Sequence, residues 1–79
     1  MKATVVVRPK QGILDPQGQA VEGSLRKLGF DVSSVRVGRV IDLELAEDGH
    51  DLRGQVERMC AELLANPLIE SFEIELAEA

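Results

Sequence analysis

The sequence predicts a small two-layer α+β unit of order β-α-β-α-β, and three observations carry that prediction. β-branched or alternating apolar stretches occur at residues 3–8, 32–45 and 69–76. Two segments between them, near 16–28 and 51–65, place apolar residues at helical spacing. Turn signals separate the segments: Pro9, Gly12, Asp15-Pro16, Gly29 and Asn66-Pro67. With 79 residues the chain is expected to be one domain, spanning 1–79.

Each element follows from its residues. Residues 3–8 are Val-rich and read as a strand stopped by Pro9, which has no amide hydrogen to give a ladder. A loop containing Gly12 follows. Asp15 then caps a helix, because its carboxylate can accept from free first-turn amides, and Pro16 stands where a missing donor costs nothing. Val21, Leu25 and Leu28 follow at helical spacing, and Gly29 with Phe30 suits a Schellman ending. Gly18 and Gly23 each weaken this helix by about 1 kcal/mol relative to Ala, which points to close approach by another backbone. The second helix begins near residues 48–51. Its apolar stripe is Leu52, Val56, Met59, Cys60, Leu63 and Leu64, and Asn66-Pro67 ends it. The last strand puts Leu68, Phe72, Ile74 and Leu76 on one face and Glu73 and Glu75 on the other, and residues 77–79 read as a frayed tail.

The middle segment, 32–45, sets the architecture. Val35, Val37, Ile41, Leu43 and Leu45 share odd positions, whereas Ser34, Arg36, Asp42 and Glu44 fall on even ones. A two-residue hairpin at Gly38-Arg39 would swap faces and conflict with burial. Two readings remain: a three-residue turn over residues 38–40, or one long strand bent at Gly38. The long strand is favoured. At roughly 13 residues it would exceed the usual range and overhang its own core, so the unit is expected to dimerise through its sheet, with both helices on one sheet face.

Composition narrows the function. A domain this small is marginal alone, and its single cysteine rules out an internal disulfide, so oligomerisation is the expected reinforcement. A formal charge of −5, with Phe30 and Phe72 the only aromatic residues, argues against nucleic acid, which needs positive charge and stacking. No apolar run has the length of a membrane span or a secretory leader, so a cytoplasmic protein is expected. His50 lacks the partner ligands a metal site requires and reads as a solvated turn residue. Cys60 lies in the apolar stripe with no base at a useful offset and reads as a small buried hydrophobe. Glu70, Glu73, Glu75 and Glu78 form a solvated face that discourages strand addition. Lys10-Gln11-Gly12 precedes a helix start, but Asp15 at the cap would repel an anion. That stretch reads as a connecting loop, with contact to a partner protein as the functional alternative. Arg39 interrupts the odd apolar series and marks either the bend or a contact with a neighbouring chain. No catalytic residue, metal ligand or cofactor-binding residue is expected.

Several stretches together resemble one family, PurS, the small subunit of phosphoribosylformylglycinamidine synthase. They are Lys10 with Gly12-Ile13-Leu14-Asp15-Pro16-Gln17-Gly18, then Leu28-Gly29-Phe30, Val35-Arg36-Val37-Gly38-Arg39, and Met59-Cys60 through Leu63-Leu64-Ala65-Asn66-Pro67-Leu68-Ile69-Glu70. The resemblance covers nearly the whole chain. It departs from the family at Arg39, usually lysine there, and at Asp42, commonly glutamate. It implies a non-catalytic subunit in de novo purine biosynthesis that bridges a large ATP-dependent amidating subunit and a glutaminase subunit and helps ammonia pass between them. ATP, Mg and glutamine would then be used by the complex, with no cofactor held by this chain. The implied partners are a second copy, as dimer or tetramer, and those two subunits. The resemblance also implies Lys10, Asp15, Pro16, Gln17, Arg36, Gly38 and Arg39 as interface or structural positions. The alternative from another class is an ACT-like module that senses a small ligand and dimerises through strands.

Overall fold

The computed structural model describes residues 1–46 and 51–77. Strand β1 (Lys2–Pro9) is central, flanked by β2 (Arg39–Glu44) and β3 (Glu70–Ala77), and both pairings are antiparallel. Helix α1 (Pro16–Lys27) lies between β1 and β2, and helix α2 (Leu52–Met59) between β2 and β3. The α+β class and the β-α-β-α-β order are those the sequence predicts. The expected helix start at residues 48–50, the turn reading of His50 and the expected fraying of Glu78 and Ala79 lie outside the described residues.

The register explains the core. Val5 faces Ile41 on one side and Ile74 on the other, and Ala3 faces Leu43 and Leu76. Ala3, Val5 and Val7 are buried, and Val56, Cys60 and Ala65 close over them from the helical layer. Ile41, Leu43, Phe72, Ile74 and Leu76 pack around that cluster half-buried. The alternation read in the second and third strands therefore holds, with Asp42, Glu44, Glu73 and Glu75 outward.

Both helix starts are built alike. Asp15 accepts from the Gly18 amide at 3.0 Å, and Asp51 accepts from the Gly54 amide at 3.2 Å. At the end of α1, Gly29 takes φ +96°, its amide donates to Arg26, and the Phe30 amide donates to Leu25, each at 3.0 Å. These are the two bonds of a Schellman motif.

Three details refine the sequence reading. First, the middle strand pairs only over Arg39–Glu44. Residues 32–38 enter no ladder among the described residues, and Val40 faces Val6, which excludes a hairpin over residues 38–40. The cause lies at Gly38, packed against the Val7 and Arg8 backbone where the chain leaves the sheet. Second, only α2 and the turn after it cover the sheet. The first turn of α1 is held against residues 35–37, Gly18 is its sole buried residue, and Leu28 is 73% exposed. The molecule is accordingly elongated, 51 × 27 × 14 Å, with a radius of gyration of 15.8 Å against about 12 Å for a compact chain of this length. Third, the stripe of the second helix is broken. Residues Cys60–Leu64 form a π-helical turn, closed by the Ala65 amide donating to Cys60 at 3.0 Å. The extra residue rotates Leu63 outward to 82% exposure and leaves Leu64 half-buried.

Candidate functional site: a notch where both sequence motifs meet

The stretches around Asp15-Pro16 and Asn66-Pro67 lie far apart in sequence and adjacent in space. The Lys10 amide continues the β1–β3 ladder by donating to the Ile69 carbonyl at 2.9 Å. Lys10 then opens a tight turn, with its own carbonyl accepting from Ile13 at 3.2 Å. On the other side, Asn66 organises the approach to β3: its side chain accepts from the Leu68 amide at 3.1 Å and its carbonyl from Glu70 at 2.7 Å. Between them is a notch of about 390 Å³, lined by Pro9, Ile13, Leu14, Pro16, Val37 and Ile69 together with Asp15, Gln17, Arg39 and Glu70.

Asp15 fixes the geometry of one wall. One carboxylate oxygen caps α1 through Gly18. The other accepts from the Val37 amide at 2.9 Å, so a single side chain joins the helix start to the middle segment. These two amides, Val37 first, hold its pKa below the ordinary carboxylate value, and Arg36 adds a smaller push in the same direction. Gly18 is required here because a Cβ on it would sit 2.5 Å from the Val35 carbonyl oxygen. That is the close backbone approach expected of it; Gly23 has no such neighbour in this chain.

Arg39 and Glu70 form the opposite wall. The guanidinium donates to both Glu70 oxygens, at 2.8 and 3.2 Å, in the bidentate geometry arginine favours. It also donates to the Leu64 carbonyl, a group left exposed at the end of the π-helical turn. Glu70 additionally accepts from the Asn66 amide at 2.7 Å. The guanidinium first, and the Asn66 amide second, hold Glu70 below its ordinary pKa, and Glu70 raises that of Arg39. Arg39 thus ties β2, the π turn and β3 together within this chain.

The remaining motif residues are divided between the notch and its surroundings. Arg36 donates to the Pro9 carbonyl at 3.2 Å, and neither it nor Lys10 is ion-paired among the described residues. Pro16 and Gln17 are exposed where they line the notch, and Gly38 lines it as well. Of the sequence-identified residues, Asp15, Pro16, Gln17, Gly38 and Arg39 line this concavity, whereas Arg36 lines a neighbouring one with Val6, Arg8 and Ser34, and Lys10 lines neither. Sequence reasoning missed the apolar lining of the notch, Ile13, Leu14 and Ile69, and the Arg39–Glu70 pair. Leu14 could have been found as a large apolar residue outside any helix and directly ahead of a cap. No local pattern could reveal a pair 31 residues apart.

The two carboxylates of the notch are held ionised by bonds within the chain, and no group of three or more His, Cys, Asp or Glu among the described residues could hold a metal ion. Cys60 is fully buried, and burial pushes its thiol pKa up, with a further push from Glu57. A second, larger cavity of about 780 Å³ opens between β2 and the second helix. Leu43, Met59, Leu63 and Leu64 line it, with Gln55, Arg58 and Glu62 at its polar margin. No helix among the described residues is long and apolar enough to cross a membrane.

Comparison with known proteins is decisive on family. The family model described as PurS, phosphoribosylformylglycinamidine (FGAM) synthase, matches residues 2–78. The phosphoribosylformylglycinamidine synthase subunit PurS of Methanocaldococcus jannaschii is 39% identical over 77 residues, covering 95% of this chain and 93% of that protein. A Bacillus subtilis PurS structure superposes with a TM-score of 0.89 at 38% identity, covering 98% of each chain. A chain of the PurLQS structure from Thermotoga maritima superposes with a TM-score of 0.79 at 33% identity, covering 94% of this chain and 93% of that one. With the Asp15-Pro16 and Asn66-Pro67 motifs folded into one site on a matching backbone, this chain belongs to the PurS family of phosphoribosylformylglycinamidine synthase subunits.

Proposed function

We propose that this chain is the non-catalytic subunit that joins the large amidating subunit of phosphoribosylformylglycinamidine synthase to its glutaminase subunit and helps ammonia pass between them in de novo purine biosynthesis. One observation supports a joining role above others: the chain leaves large apolar side chains uncovered that a solitary domain of this size needs for its own core. Leu14, Leu28, Phe30 and Leu63 are all more than half exposed, α1 covers no sheet, and residues 32–38 have no ladder partner in the chain. Association is therefore part of its structure. A second copy is the first partner, giving a dimer or tetramer that pairs through the sheet and covers α1 and the cavity beside Leu43. ATP, Mg and glutamine belong to the partner subunits, and this chain binds none of them. The complex works in the cytoplasm.

Reconstitution tests the reading. Omitting this chain should abolish glutamine-dependent formation of the amidine while ammonia-dependent formation by the large subunit persists. Equal rates with and without the chain, from either nitrogen source, would exclude a joining role. The family match leaves no reason to keep the ligand-sensing alternative.

A further inference from the structure

The π-helical turn at Cys60–Leu64 lies between the two concavities and touches both. Its end is held by Arg39, which lines the notch with Glu70, and its outward side chain, Leu63, lines the larger cavity beside Leu43. The turn is also ambiguous in sequence. Cys60 is buried, and the residues three, four and five places after it are Leu63, Leu64 and Ala65, all apolar. In an α-helix residues three and four apart share a face, so a continued α-helix would turn Leu63 and Leu64 inward together. The wider turn instead sends Ala65 inward, at 6% exposure, and leaves Leu63 outside. One stretch of sequence therefore supplies the core with an apolar side chain in either form. What favours the wider form comes from outside the helix. Arg39 donates to the Leu64 carbonyl while Glu70 grips its guanidinium with both oxygens, and Glu70 also accepts from the Asn66 amide at 2.7 Å. Residues 64 and 66 are thus pinned from β2 and β3.

We infer that this turn is a two-state element latched by Arg39. With the latch closed the turn is π-helical and Leu63 stands outside. With the latch open it runs on as α-helix, and Leu63 turns toward Met59 and Leu43 and fills part of the cavity between β2 and the second helix. The inference goes beyond the joining role, because it concerns how an ion pair at one surface sets the shape of another. Single π-helical turns inside α-helices are rare and concentrate at functional sites, and two packings of one sequence interconvert when they differ by little in free energy. The Arg39 side chain is about half exposed, so the latch is within reach of whatever enters the notch. Anything that draws Arg39 away from the Leu64 carbonyl there reshapes the cavity on the far side of the turn, and anything that fills the cavity in its open shape holds the latch closed. By linkage the two effects are equal.

The test is made by nuclear magnetic resonance on the full-length chain in its own oligomer. The unaltered chain should show the Overhauser contact between the Cys60 α-proton and the Ala65 amide that a π-helical turn creates. In Arg39→Ala that contact should be lost, and a contact between the Cys60 α-proton and the Leu63 β-protons should take its place. The Leu63 methyls should at the same time come into contact with those of Leu43. Arg39→Lys guards against a variant that simply fails to fold. It keeps a cation for Glu70 but lacks the forked donors needed to hold that carboxylate and the Leu64 carbonyl together, so it should show the same exchange of contacts. Persistence of the π pattern in both variants would overturn the inference, because the turn would not need the latch. A frayed turn showing neither pattern would overturn it as well, since no second state would exist. Loss of the fold in both variants would mean that Arg39 holds the sheet together and does not choose between turns. None of these results bears on the joining role, which the reconstitution above tests separately.

Discussion

Asp15 does two jobs with one carboxylate, and the contrast with Asp51 separates them. Both cap a helix whose third residue is glycine, but only Asp15 also accepts from an amide 22 residues away. Its folded-state pKa is depressed, so its contribution is complete above the unfolded value near 4 and is lost as pH falls through the lower folded value. Glu70 behaves in the same sense, through Arg39. Asp15→Asn, which keeps one acceptor and offers a donor to the other amide, should melt several degrees lower than the unaltered chain at pH 7. The gap between the two should shrink below about pH 4, as the unaltered carboxylate also protonates. Melting curves from pH 7 to pH 2.5 check both, and a gap that widens in acid would contradict the assigned hydrogen bonds. Cys60 gives a second check. Its burial and raised pKa predict reaction with a disulfide-exchange reagent at pH 7.5 on the order of 100-fold slower than after denaturation. A native rate equal to the denatured one would mean that the layer of Val56 and Cys60 is open.

At the scale of elements, two glycines predict opposite outcomes. A Cβ on Gly38 would run into the Val7 carbonyl oxygen and lie 3.2 Å from the Val7 carbonyl carbon and 3.3 Å from the Arg8 Cα, all backbone that cannot turn aside. Gly38→Ala should therefore displace β2 from β1 and lower the melting temperature substantially. Gly23 lies inside α1 with nothing within 4 Å of the added methyl, so Gly23→Ala should gain about 0.5–1 kcal/mol from helix propensity and melt a few degrees higher. Thermal denaturation of the two variants tests the pair. A destabilised Gly23→Ala would instead place a partner chain against that face of α1. The glycine readings also mark what the sequence makes legible. Caps, the Schellman ending and the inward faces of β2 and β3 are local patterns, and each follows from a few neighbouring residues. The π turn at Cys60–Leu64 is not local. It depends on Arg39, distant in sequence, to satisfy the Leu64 carbonyl, and no spacing in the helix announces it. The notch was legible only in halves. Asp15-Pro16 and Asn66-Pro67 each signal a turn, but their meeting follows from the β1–β3 register and from the bond between Lys10 and Ile69.

The whole molecule poses a question of stability. Among the described residues its buried core consists of small side chains: Ala3, Val5, Val7, Val56, Cys60 and Ala65. An extent of 51 Å in a 79-residue chain spreads that core thinly, and a single core of this size rarely supplies more than about 3–5 kcal/mol even when compact. Folding and association should therefore be one transition, with stability set by protomer concentration. For a dimer, each 100-fold rise in concentration adds about 2.7 kcal/mol to the apparent stability. Denaturant midpoints should thus climb steadily between 0.5 and 50 µM, while the slope of the transition stays constant. Sedimentation over the same range should show two or four chains wherever the protein is folded. A midpoint independent of concentration, with folded single chains at the lowest dilution, would mean that α1 closes onto its own sheet in solution. Such a chain would have no free apolar face with which to join other subunits.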